Sequence, residues 1–473
     1  MGQAQNSTSI GNKRQRYDEQ YVRKSLANKK LIYMADYNFR KVRSYANFMQ
    51  GAQNLLSRTI ENFFSAKVRI HFEPLRELVP AYGIDILECR KRYVYILSSD
   101  RVLIVPRMSD GNGNTYYLAI LIEGKDVGQY KRRSIFNHLA SSISTSLRDS
   151  YQYRFWDAVK HFDERLIIRS ISHYLAKRQF NPYKINTIIT KFNALRSTTF
   201  EGKYFSTGII FTATLADYKK DIDCGGRWGV VMGLHNTQHV YDDIDTRFWY
   251  LADGINNFYL SDSKESVHYM FVYKNEDNNY LNRMVLTNAL KGRDFLLRVF
   301  AGRELSVITS QQVEFIYQEN TWRYRDYEWL KTRICNAIPL NGKVYNAILY
   351  FVLFCSKNDI SSILWIPKDL SNIDNFVQVK RSFSNKIINM TDRDNEGLIK
   401  RMLSSDGATV VTTNGDVKYY GCIAKLKAQK TKKAKGTGET AAGNLAENGI
   451  AFKISQDGVI KVFLKKNSDP IRF

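Results

Sequence analysis

The sequence predicts an α/β protein: a C-terminal mixed sheet flanked by helices, preceded by a larger α+β region. Three observations point there. From about residue 320, short apolar segments alternate with helical ones, the pattern of a sheet covered on both faces. Two hairpin signals, Asn414-Gly415 and Asp457-Gly458, each join a pair of strand-like runs. Of 473 residues, 44% are hydrophobic and 13% aromatic, and only 7 are proline, which favours packed cores over disorder.

Three regions follow in order. Residues 1–30 are polar and then basic, a loose arm carrying Lys13, Arg14, Arg16, Arg23 and Lys24. Residues 31–320 read as an α+β sensor or regulatory region. It opens with a helix in which Ala46, Met49, Ala52, Leu55, Leu56, Ile60 and Phe63 recur at three- and four-residue spacing. Strand-like runs at 68–72, 93–97, 102–105 and 116–122 come next, then a helical block over 132–195. Residues 204–272 are strand-rich, and a helix over 280–300 closes the region. Residues 321–473 form the last domain. Helices are expected at 322–337, 344–354 and 387–403, and a buried strand at 361–367 stops at a proline. Strands at 408–412 and 417–424 lead through a lysine-rich loop to a glycine turn and a helix to about 447. Strands at 450–454 and 459–463 end the pattern.

The formal net charge of +24 attracts polyanions: nucleic acid, nucleotides or an anionic surface. The five cysteines are far apart, odd in number and form no C-x-x-C pair, which suits a reducing cytosol rather than a disulfide framework or thiolate zinc site. Residues 1–10 lack the apolar core of a signal peptide, and the longest apolar run, 344–355, is too short to span a bilayer. A cytoplasmic protein without a membrane span is expected.

Two motifs carry chemistry. Asp406-Gly407-Ala408 stands at the mouth of an apolar strand, where the carboxylate of Asp406 can meet a cation. About thirty residues later, Lys425, Lys427, Lys430, Lys432, Lys433 and Lys435 lead into Gly436-Thr437-Gly438-Glu439-Thr440. A glycine turn opening a helix lets backbone N–H groups meet phosphate, and Thr437 and Thr440 add hydroxyls. No Gly-Lys-Ser/Thr ending makes it a P-loop. Read separately, each motif also fits a plain Asx-turn or a solvated, threonine-capped loop. His235, His239, Asp242 and Asp243 offer metal-ligand chemistry, but a strand there sets the two histidines about 13 Å apart. Tyrosines interleaved with basic residues, as at Tyr151, Tyr153 and Arg154, leave nucleic acid as a further partner.

The order of these fragments resembles the diadenylate cyclase domain family, over about a third of the chain. Asp406-Gly407-Ala408 matches the family's Asp-Gly-Ala, and Gly421-Cys422 its Gly-Cys. Gly436-Thr437, Ala441-Ala442, Glu447 and Ser455 match its Gly-Thr, Ala-Ala, Glu and Ser. The resemblance implies a nucleotidyltransferase that joins two ATP molecules into cyclic di-AMP across a homo-oligomer. Gly407, Ala408, Gly436, Thr437, Gly438, Thr440 and Ser455 would hold nucleotide. In a rewired site Asp406, Glu439 and Glu447 would hold Mg²⁺ or Mn²⁺, with Asp406 catalytic and the lysine-rich loop supplying the positive charge. The departure lies between Gly-Thr and Ala-Ala, where the family carries Arg-His-Arg and this chain carries Gly438, Glu439 and Thr440. Ser405 also stands where the family commonly has histidine. Three readings stay open: a rewired cyclase, an inactive nucleotide sensor, or a nucleic-acid-binding protein.

Overall fold

The computed structural model describes residues 45–71, 84, 92–109, 115–128, 130–153, 163–176, 179–218, 229–242, 245–273, 286–287, 290–300, 304–383, 386–426, 436–465 and 469–473. The basic arm, the lysines of 427–435, the Gly225-Gly226 turn, Asp243, Cys89 and Cys224 lie outside them. The chain divides into two compact units, 1–190 with 317–323, and 191–316 with 324–473.

In the first unit α1 (Tyr45–Phe64) buries Leu56, Ile60, Phe63 and Phe64, the stripe its spacing predicts. The strands are β1 (Lys67–His71), β2 (Val94–Ser98), β3 (Arg101–Ile104), β4 (Arg107–Ser109), β5 (Thr115–Tyr117) and β6 (Ala119–Glu123). Four pair antiparallel in the order β1-β6-β3-β2, with the apolar β6 inside. The expected helical block is three helices: α2 (Tyr130–Tyr153), α3 (Glu164–Ala176) and α4 (Pro182–Leu195).

The second unit opens with the small hairpin β7 (Thr199–Phe200) and β8 (Lys203–Tyr204). Next come β9 (Thr207–Phe211), β10 (Gly229–His239), the short α5 (Thr246–Leu251), β11 (Asn257–Ser261) and β12 (Ser266–Tyr273). Then follow β13 (Phe295–Phe300), β14 (Glu304–Thr309), β15 (Val313–Gln318) and β16 (Thr321–Asp326). They order as β10-β12-β11-β9-β13-β14-β15-β16. Two helix expectations are corrected here. Residues Phe295–Phe300 are a strand paired with β9 and β14, because a run buried on both faces has no period to separate strand from helix. Trp322 lies in β16, and the helix begins only after Asp326, whose carboxylate caps the Trp329 N–H.

The C-terminal sheet is built from α6 (Tyr327–Ala337), α7 (Gly342–Lys357), β17 (Ser362–Pro367), β18 (Val377–Arg381), β19 (Ile388–Asn389), α8 (Glu396–Ser404), β20 (Ala408–Val411), β21 (Asp416–Ala424), α9 (Thr437–Leu445), β22 (Gly449–Ile454), β23 (Ile460–Phe463) and β24 (Ile471–Arg472). Its order is β18-β21-β20-β17-β22-β23-β24, with β19 also on β21. β17 and β20 run parallel and the neighbouring pairs antiparallel, so the sheet is mixed as expected. The helix expected over 387–403 is narrower: β19 and a 3₁₀ turn, Arg393–Asn395, precede α8.

Alternation along β17 divides the core. Leu364 and Ile366 face α6, α7 and α8, packing with Leu330, Ile348, Phe351, Val352 and Leu403. Ile363 and Trp365 face α9, packing with Ala441, Ala442 and Leu445. Burying side chains such as Leu364 or Phe351 contributes about 1.5–3 kcal/mol each. Among the described residues no single helix is long and apolar enough to cross a membrane. α6 and α7 pass such a test only as a pair, but they bend by 117° between them and bury most of their apolar side chains.

Candidate functional site

Asp406 sits where α8 turns into β20. The turn needs Gly407, at φ +101°; a Cβ there would meet the Cys422 carbonyl oxygen at 2.7 Å. Its neighbour across the sheet is Gly421-Cys422, since Ala408 pairs with Cys422 and Gly421 also has a positive φ, +58°. The two fragments read separately from the sequence are therefore one feature, a pair of glycine backbones in contact. Burial pushes the Cys422 thiol up to about 11, so it is a packing group rather than a nucleophile. Arg381 reaches the same corner: a Cβ on Gly421 would lie 3.3 Å from its Nη1 and 3.5 Å from the Asp406 carbonyl oxygen.

Register carries this end of the sheet across to α9. Cys422 pairs with Ala408, Ala408 with Ile363, Ile363 with Lys453, and Lys453 with Lys461. α9 starts at Gly436 with no side-chain cap, and the Gly436 carbonyl accepts from the Glu439 and Thr440 N–H groups. Gly438 lies over Lys453, whose Nζ donates to Ser361 Oγ and the Ile454 carbonyl, each at 2.7 Å. Burial holds the Lys453 ammonium below its usual range, and the charge of Lys461 lowers it further, against Asp457. Ser455 follows at the same end, in the β22–β23 turn, where its N–H donates to the Val459 carbonyl. One sheet end thus gathers Asp406, Gly407, Ala408, Gly436, Thr437, Gly438, Thr440 and Ser455.

Glu439 and Glu447 take other positions. Glu439 is paired with Lys461 Nζ at 2.5 Å. Glu447 lies in the 3₁₀ turn Ala446–Asn448, about 12 Å further along the helix axis. That turn enters β22 opposite Pro367, the far end of β17 from the Asp406 turn. A metal ion needs its carboxylates within about 2.5 Å. Among the described residues no group of three or more His, Cys, Asp or Glu side chains is placed to hold one. The expected set of Asp406, Glu439 and Glu447 does not converge within one chain, because helix length separates the last two. Among the described residues His235, His239 and Asp242 belong to no such group either: His239 Nδ1 is 3.1 Å from Ser266 Oγ, and Asp242 accepts from the His239 N–H.

Beside the 3₁₀ turn is an open polar cleft of about 480 Å³, lined by Asn372, Asn375, Phe376 and Asn448. It offers carboxamides and one ring but no cation. Arg381, Lys453, Lys461 and Ser361 were not legible as site residues from motifs. A lysine inside the apolar strand Gly449–Ile454 was the available signal for one of them.

The chain matches no family model and no curated protein. Among solved structures it is similar to a double mutant of DacA from Staphylococcus aureus, at 17% identity and a TM-score of 0.21. The match covers 28% of this chain and 85% of that one. A likeness at that score fixes neither fold nor function.

Proposed function

We propose that 321–473 is a nucleotide-binding domain that takes ATP or a related nucleoside triphosphate, and that the chain joins two of them into a cyclic dinucleotide as a homo-oligomer. The observation behind this is the shared sheet end: the Asp406 carboxylate in a glycine turn, in register with a lysine beneath the uncapped start of α9. Such a start presents N–H groups to phosphate oxygens. In the reaction, a ribose hydroxyl oxygen of one nucleotide bonds to the α-phosphorus of the other. The α–β bridging P–O bond breaks, pyrophosphate leaves and the hydroxyl proton passes to solvent; the same step in the opposite sense closes the ring and releases a second pyrophosphate. Asp406 is the carboxylate available to orient that hydroxyl. Any Mg²⁺ or Mn²⁺ arrives with the triphosphate as part of the substrate, and the region before 321 regulates the domain.

The test is incubation of the full chain with each of the four NTPs plus Mg²⁺ or Mn²⁺, read by mass spectrometry. The expected result is a cyclic dinucleotide that disappears in Asp406→Asn. A product that persists at full yield in that variant removes Asp406 from the chemistry. Retention of an unchanged NTP supports an inactive sensor instead. Affinity for DNA or RNA that falls steeply with salt and ignores nucleotide supports nucleic-acid binding.

A further inference from the structure

The sequence places no basic side chain at positions 438–440, yet a triphosphate needs one. We propose that Lys453 supplies it from the strand below, and that residue 438 is glycine to make room for it. This rests on the nucleotide reading of the site and assigns a residue that the motifs do not.

The packing is specific. A Cβ on Gly438 would come within 2.8 Å of Lys453 Cε and 3.4 Å of its Nζ. Gly438 is helical and has no positive φ, so its backbone does not call for glycine. The three nearest atoms all belong to the Lys453 side chain. A side chain at 438 would therefore push the ammonium from this spot.

The ammonium is held ready rather than neutralised. Of its three donors, two go to Ser361 Oγ and the Ile454 carbonyl. Both acceptors are uncharged, and among the described residues no carboxylate pairs with Lys453. Asp457 acts on it only through space, and Lys461, the like charge beside it, is itself paired with Glu439. A half-buried, uncompensated ammonium is unfavourable by itself and becomes favourable against an anion. The ammonium lies beside Gly438 in the first turn of α9, whose N-cap, Gly436, has no side chain to close the helix start. Lysine and helix start together form a two-sided cradle for phosphate oxygens. The charge comes from the strand beneath the helix, with Ser361 Oγ holding the ammonium.

The experiment is calorimetric titration of the full chain with ATP and, separately, adenosine, for wild type, Lys453→Met and Gly438→Ala. Lys453→Met is expected to weaken ATP at least about tenfold and leave adenosine unchanged. Gly438→Ala, which pushes the lysine tip aside, is expected to weaken ATP in the same direction and by less. It remains the test if Lys453→Met does not fold. ATP affinity equal to wild type in both variants, or an equal loss for ATP and adenosine, would overturn the role of Lys453. Wild type that binds neither ligand would overturn the nucleotide reading itself.

Discussion

The sheet β9–β16 and the C-terminal sheet both carry paired charges, but at different depths. In the first, Arg325 Nη1 lies 3.7 Å from Glu314 Oε2, both fully buried, and Glu314 also accepts from the Ser306 and Tyr327 hydroxyls. Arg298 and Glu304 make a second enclosed pair at 3.7 Å. In the C-terminal sheet, Lys453 and the Lys461–Glu439 pair stand half-buried at one end, under a helix whose N-cap is Gly436. Enclosed charge is shut away from solvent, with Nε and Nη2 of Arg325 lacking a hydrogen-bond partner among the described residues, so removing either member of the pair leaves the other uncompensated and costly. Rim charge keeps donors for something that arrives from solvent. The proposed nucleotide site lies at the less stabilising pair.

The largest effect that could break the contrast is Glu314→Ala. It leaves Arg325 buried and unpaired, and should destabilise by about 3–5 kcal/mol in chemical denaturation. A loss near zero would mean that the central pair is dispensable. Asp294, which accepts from the Tyr218 hydroxyl at 2.7 Å, comes next. Burial pushes its carboxyl up to about 6 despite that bond. The proton-binding contribution is complete below about pH 4 and is lost as pH rises through about 6, an effect of up to about 3 kcal/mol. Asp294→Asn should flatten the fall in melting temperature between pH 4 and pH 7; an unchanged pH profile would contradict the assignment. Gly407→Ala should cost about 1–3 kcal/mol, because φ +101° and the Cys422 carbonyl leave no room for a Cβ. Wild-type stability in that variant would show that the turn relaxes. Smallest is Glu439→Gln, which breaks a partly exposed pair and should cost less than about 1 kcal/mol. A loss comparable to that of Glu314→Ala would erase the difference between the two sheets.

The sequence was most legible where local signals agree. α7, β17, the Asn414-Gly415 hairpin and the β22–β23 hairpin appear as periodicity and turn residues place them. It was least legible along β13–β16. Those strands are buried on both faces and include Arg298, Glu304, Glu314 and Arg325, so neither alternation nor hydrophobicity marks them. At the site, Asp406 and the α9 turn were readable as motifs, since each depends on adjacent residues. That Gly421 packs against Gly407, and Lys453 under Gly438, depends on strand register, which short motifs do not encode. The metal set does not converge among the described residues because helix and turn separate Glu439 from Glu447, a separation already contained in the helix expected to about 447.

The most direct test of the central claim is hydrogen exchange on the full chain with and without ATP and Mg²⁺. Protection is predicted at 406–408, in the first turn of α9 and at 453–455, with the β13–β16 region unchanged. ATP-dependent protection that leaves all three segments untouched, or no protection anywhere, would contradict the account.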